Sequence, residues 1–157
     1  MHGSSPLVRR LLLAALFAAG AGLVLSACGA STSVIEVSGA VLPPPATPSE
    51  ASLYLTITNT GDLADELLSV ETDAAPMASL HKTEIDDSGM AMMGDTDTLA
   101  IPADSTVRLV PGGLHIMLMD PEPLDAGDTI SISLTFKEAG VKTVEATVVN
   151  DATELPS

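Results

Sequence analysis

Between residues 34 and 149 the apolar side chains recur at every second position, in runs too short and too evenly punctuated for helices. Leu53, Leu55 and Ile57 alternate with Tyr54, Thr56 and Thr58, and the run stops at Asn59-Thr60-Gly61. Leu114, Ile116 and Leu118 alternate with His115, Met117 and Met119, while Ile130, Ile132, Leu134 and Phe136 alternate with Ser and Thr. A period of two places alternate side chains on opposite faces of a strand. Further strands are expected at residues 34–41, 67–72, 77–85, 107–109 and 141–149. Pro43-Pro44-Pro45, Pro111-Gly112-Gly113 and Glu138-Ala139-Gly140 separate some of them. Helical spacing never lasts beyond two turns, and residues 62–68 form one turn at most. Short strands with regular turn signals predict an all-β sandwich or barrel of about 7–8 strands, immunoglobulin-like in its general build.

The start of the chain is for targeting. Arg9-Arg10 precedes an apolar run over residues 11–25, and small residues lead up to Cys28. That run is shorter than the roughly 20 residues needed to span a bilayer, and its flanks are those of a secretory signal peptide. Leu25-Ser26-Ala27-Cys28 resembles a bacterial lipobox, whose Cys becomes the diacylated first residue of the mature protein. The expected organisation is a lipoprotein signal peptide (1–27), a lipidated tether (28–33), one β-sandwich domain (34–150) and a loose tail (151–157). Such a chain is exported and held by its lipid on the outer face of the cell membrane, or on its periplasmic side. The anchor is then its only contact with the membrane.

Charge and composition exclude several function classes. Six Lys and Arg face 21 Asp and Glu, a formal charge of −15. Nucleic-acid affinity comes from neutralising phosphates with basic side chains, so no nucleic-acid partner is expected. Anionic lipid headgroups are excluded as a docking surface for the same reason. The single Cys allows no intrachain disulfide, four-Cys zinc site or redox pair, and lipidation removes its thiol. Trp is absent and the aromatics are Phe17, Tyr54 and Phe136, too few for a platform that stacks sugars or bases.

The remaining chemistry lies in Met and His. Apart from Met1, every Met falls between Met77 and Met119, and so do His81 and His115, the two His outside the signal segment. On a strand, His115, Met117 and Met119 share one face, opposite Leu114, Ile116 and Leu118. An imidazole and a thioether two residues apart lie roughly 6.5–7 Å from each other along that face. Met90 and Met92 follow Asp86-Asp87-Ser88-Gly89, a loop tip able to fold over the strand. Thioethers select Cu(I) over zinc, calcium or magnesium, and without a thiolate the site is no blue-copper centre. A set of two His and two Met offers no proton donor, so it suits holding and passing on copper; no enzyme activity is expected. Met is also a common filler of core gaps. Here it clusters with His on the face opposite the core-like alternation, where packing gives no reason for it.

The segment from His81 through Met90 and Met92, then Ile101-Pro102-Ala103, then Leu109 to Met119 resembles the PCuAC periplasmic copper chaperones. Their motif is His, ten residues, Met, twenty-one residues, His, one residue, Met. Ten residues separate His81 from Met92, and His115 and Met117 match the closing pair. Twenty-two residues, one too many, lie between Met92 and His115, so counting back from His115 selects Met93 instead. Loops absorb insertions more easily than strand pairings do. Gly94 to Asp97 is the most loop-like stretch, and Met92 is therefore the expected ligand. The likeness extends through residues 52–61; the Trp and Arg usual in the family near the first strand are replaced by Ala40-Val41 and Leu42-Pro43.

The resemblance implies a cupredoxin-like β-sandwich that binds Cu(I) through His81, Met92, His115 and Met117. It also implies delivery to a copper-accepting protein such as cytochrome c oxidase or its assembly factors, from a loop and a strand edge open to ligand exchange. The competing reading is a surface lipoprotein whose sandwich is an interaction or adhesion module without metal. Cys28→Ser is expected to move the protein out of the membrane fraction without changing copper affinity. Retention of that variant in the membrane fraction would contradict the lipobox.

Overall fold

The computed structural model describes residues 31–45 and 47–150. The signal segment, Cys28, most of the tether and the tail at 151–157 lie outside the described residues. Ten strands form, and no helix occurs among the described residues. They are β1 (Ile35–Leu42), β2 (Glu50–Asn59), β3 (Asp65–Thr72), β4 (Met77–Ile85), β5 (Ala91–Asp95), β6 (Leu99–Ile101), β7 (Ser105–Leu109), β8 (Leu114–Met119), β9 (Thr129–Phe136) and β10 (Gly140–Val148). The expectation of an all-β fold holds, but the strand count was short by two. β5 is exposed at every position and so has no alternation to read, and β6 is only three residues long. The stretch that allowed a helical turn instead opens β3 at Asp65.

The strands join in the order β5-β4-β8-β2-β1-β10-β9-β3-β6, with β7 also paired to β2. Every pairing is antiparallel except β1 with β10. The long strand β2 is where the sheet curls. Its first half, Glu50 to Leu53, pairs with β8, and its second half, Leu55 to Asn59, pairs with β7. Leu53, Leu55 and Ile57 point inward along its whole length and are fully buried, so one core serves both halves. Ile116 and Leu118 of β8, Leu80 of β4, and Ile132, Leu134 and Phe136 of β9 complete that core. Each such side chain contributes about 1.5–3 kcal/mol on burial, which fixes which face of each strand turns inward. In β1 the register against β2 shifts between Ser38 and Val41, where Gly39 has a φ of 62°. That is a β-bulge on a residue without a Cβ, and it turns the strand towards its parallel partner β10.

Two buried polar side chains fasten the entry of the chain into the sheet. Asn59 is fully buried; its Oδ1 accepts from the N–H groups of Val34 and Gly61, and its Nδ2 donates to the carbonyls of Leu63 and Ile101. Gly61 has to be glycine, because a Cβ there would overlap the Thr32 carbonyl oxygen. The carboxylate of Asp65, only 5% exposed, accepts from Ser33 Oγ and from the N–H groups of Glu66, Glu138 and Ala139. Burial pushes this carboxyl up, but the four hydrogen bonds together outweigh it and hold it below its ordinary 3.8.

A depressed folded pKa stabilises the protein fully above the unfolded value and loses that effect as pH falls through the folded one. Asp65→Asn puts an amide where N–H donors converge and should cost about 2 kcal/mol at neutral pH by denaturant titration. Below pH 3.8 the wild type should lose stability more steeply than the variant. Equal slopes would show that this carboxylate is not held ionised by the fold.

Candidate metal centre

The site is built by one pairing register. β4 and β8 run antiparallel with Met77 opposite Met119, Ser79 opposite Met117 and His81 opposite His115. Directly opposed residues share a face of the sheet. The two imidazole rings lie 5.6 Å apart between centroids. On the other side of β8, Ser52 of β2 is opposite Met117, and the Tyr54 ring lies 6.4 Å from that of His115. His81, His115 and Met117 are therefore brought together.

Met92 is not. β4 and β5 form a hairpin in which Asp95 is opposite His81, Met93 opposite Thr83 and Met92 opposite Glu84. Thr83 lies two residues beyond His81, so Met93 and Asp95 share the His81 face, whereas Met92 turns to the other side with Glu84. The hairpin tip does not fold back over β8. The Asp86 carboxylate accepts from Ser88 Oγ and from the N–H groups of Ser88 and Met90, closing a tight turn that sends β5 along the outer edge of β4. Hydrogen bonds from the Ser88 hydroxyl and the Met90 N–H hold that carboxyl below its ordinary range.

The His115 and Met117 face is also not the open face that strand alternation implies. β8 lies between β4 and β2 and is not a strand edge. His115 is 4% exposed and Met117 6%, while Ile116 and Leu118 on the core side are fully covered. The open half is the hairpin, where Met93 is 61% exposed.

The hydrogen bonds of the two rings leave one nitrogen of each free among the described residues. His115 Nδ1–H donates to the Gly113 carbonyl at 3.0 Å. A carbonyl only accepts, so the proton is on Nδ1 and the lone pair is on Nε2. His81 Nε2 meets the Asp95 carboxylate at 2.8 Å and Ser79 Oγ at 3.0 Å. In the neutral ring, donation to the carboxylate leaves the lone pair on Nδ1, a buried atom with no hydrogen-bond partner among the described residues. Buried polar atoms without partners are rare in folded proteins, and an imidazole lone pair is a metal donor. Among the described residues no group of three or more His, Cys, Asp or Glu is placed to hold an ion.

Asp95 was not singled out from the sequence as part of the site, and Met93 entered only as the alternative to Met92 that counting back from His115 selects. The signal was present in the turn residues: folding the chain about Ser88 sets Asp95 against His81 and Met93 against Thr83.

The LpqE-like family model, a lipoprotein family, matches residues 35–148. Protein Lxx21020 of Leifsonia xyli subsp. xyli, which carries a lipoprotein name, is 36% identical over 93 residues, 59% of this chain. The matched part spans 56% of that relative's own length. Among solved structures, the copper-bound PCuAC domain from PmoF2 superposes with a TM-score of 0.62 at 24% identity, covering 74% of this chain and 93% of that domain. The Cu(I) form of DR1885 from Deinococcus radiodurans superposes with a TM-score of 0.59 at 31% identity, covering 78% of this chain and 80% of that one. The cupredoxin-like fold expected from the resemblance is therefore present.

The two rings should differ in tautomer. Long-range 1H–15N NMR on the neutral rings should find His115 protonated at Nδ1 and His81 at Nε2. The same tautomer on both would contradict the hydrogen bonding described.

Proposed function

We propose that this chain, a member of the LpqE-like family, is an exported, lipid-anchored carrier that holds Cu(I) on a His and Met site and passes it on. The observation that carries the reading is the His81–His115 cross-strand pair, in which each ring keeps one nitrogen unpartnered and a thioether lies one row away. Imidazole and thioether together suit Cu(I) and suit hard cations poorly. The lipoprotein naming of the family and of the Leifsonia relative supports export and lipidation at Cys28. DR1885, a neighbour described in its Cu(I) form, supports copper as the cargo.

His81, His115 and Met117 are the proposed donors, and the fourth is Met93. The pairing register favours Met93 over Met92, because only Met93 shares the face of the His pair. Hydrogen bonds to Gly113 and Asp95 orient the rings and set their tautomers, as such partners do at metal sites generally. The buried His115 and Met117 would shield the ion, while exposed Met93 would give an acceptor a place to begin ligand exchange. The acceptor proposed is a copper protein outside the cytoplasm, cytochrome c oxidase or one of its assembly factors.

Hydrolysis is not favoured by the Asp95, His81 and Ser79 grouping. A Ser-His-Asp relay uses both ring nitrogens, one for each partner. Here Asp95 and Ser79 meet the same nitrogen.

Competition of the mature protein with a Cu(I) chelator tests the reading. One ion should bind, and His81→Ala or His115→Ala should weaken it by about a hundredfold or more, about 2.7 kcal/mol. Met93→Leu should weaken it about tenfold, about 1.4 kcal/mol, and Met92→Leu by less than about twofold. The reverse ranking would return the hairpin donor to Met92. Failure of the wild type to retain Cu(I) would favour the interaction module.

A further inference from the structure

Two methionines outside the proposed donor set continue the same face. Met77 is opposite Met119, and Met119 is in turn opposite Glu50 of β2. Three rows thus follow one another along β8: His81 with His115, then Ser79 with Met117, then Met77 with Met119 and Glu50. Successive rows are two residues apart, roughly 6.5–7 Å. Exposure rises along them, from 4% at His115 and 6% at Met117 to a half-buried Met119 and a Met77 that is 61% exposed.

Packing does not account for the last row. A Met that remains 61% exposed removes little apolar surface from water, and any polar strand residue would serve the sheet as well. Opposed residues have Cβ atoms roughly 4.5–5.5 Å apart, and Met has three rotatable side-chain bonds. Both sulfurs can therefore turn onto one ion between the strands. The carboxylate of Glu50 beside them is exposed and adds negative charge that concentrates cations at this end of the face.

We propose that Met77 and Met119 form a second, weaker Cu(I) station, through which the ion enters and leaves the His and Met site. A two-thioether site without imidazole holds Cu(I) loosely, as a transit point requires, and is reached from solvent through Met77. Ions that prefer oxygen or nitrogen donors have no reason to stop there. This role rests on the copper reading above, whereas the station itself depends on the methionine pair alone.

The test is a titration of the mature chain, labelled with [methyl-13C]methionine, with Ag(I) as a redox-inert stand-in for Cu(I). The Met117 signal should respond to the first equivalent and the signals of Met77 and Met119 together to the second. Met77→Leu should abolish the response of Met119, and Met119→Leu that of Met77, while Met117 still responds to the first equivalent. The double leucine variant should keep its Cu(I) affinity within about twofold, yet transfer the ion to a chelator at least about threefold more slowly. Signals of Met77 and Met119 that stay still, or move independently of one another, would overturn the station. Transfer at the wild-type rate would overturn its role in transit. A silent Met117 beside a responsive Met77 and Met119 would count against the His and Met site and leave the second station standing.

Discussion

The site depends on a hydrophobic contact that no ligand makes. Leu80 of β4 is opposite Ile116 of β8, and both point into the core, 4% and 0% exposed. Because side chains on a strand alternate, burying this pair forces His81 and His115 onto the other face, opposite one another. A slip of one residue would carry the imidazoles into the core and the leucine out of it. Imidazoles buried among Leu and Ile without hydrogen-bond partners would destabilise the fold. The alignment of the two imidazoles is thus a by-product of core packing.

The two halves of the site differ in how firmly they are held. β8 is flanked on both sides, its faces are covered, and the Gly113 carbonyl orients the His115 ring. β5 has β4 on one side and, among the described residues, nothing paired to the other, and all five of its residues are exposed. Local opening is cheapest where few apolar contacts and many solvent-exposed backbone bonds meet, which describes the hairpin. His81 belongs to both halves, tied to β8 through the main chain and to β5 through Asp95. The hairpin can therefore open while His115 and Met117 stay in place.

Alternation alone made β2, β8 and β9 legible, because β2 and β9 set aliphatic residues against Tyr, Thr or Ser and β8 sets them against His and Met. It could not reveal β5, which buries neither face, or β6, which is too short to show a period. Co-clustering of His and Met within one segment was enough to indicate soft-metal chemistry. What it could not supply was the depth of the site. His115 and Met117 are covered by elements distant in sequence, Tyr54 among them, and a pattern read along β8 contains no information about neighbours across it. The choice between Met92 and Met93 stayed open for a related reason. Counting residues from His81 treats the hairpin as a string, whereas the side of the ribbon on which a side chain emerges is set by cross-strand pairing. The Asp86 turn decides that pairing, through hydrogen bonds invisible in the spacing of ligands.

Met92 and Met93 stand side by side on a strand whose neighbours face alternate ways. Whichever of the two faces the His pair, the other faces away. Gaining or losing one residue in the hairpin would exchange their roles and leave a thioether in place. The doublet thus keeps a thioether on the face of the His pair through a single-residue change in hairpin length.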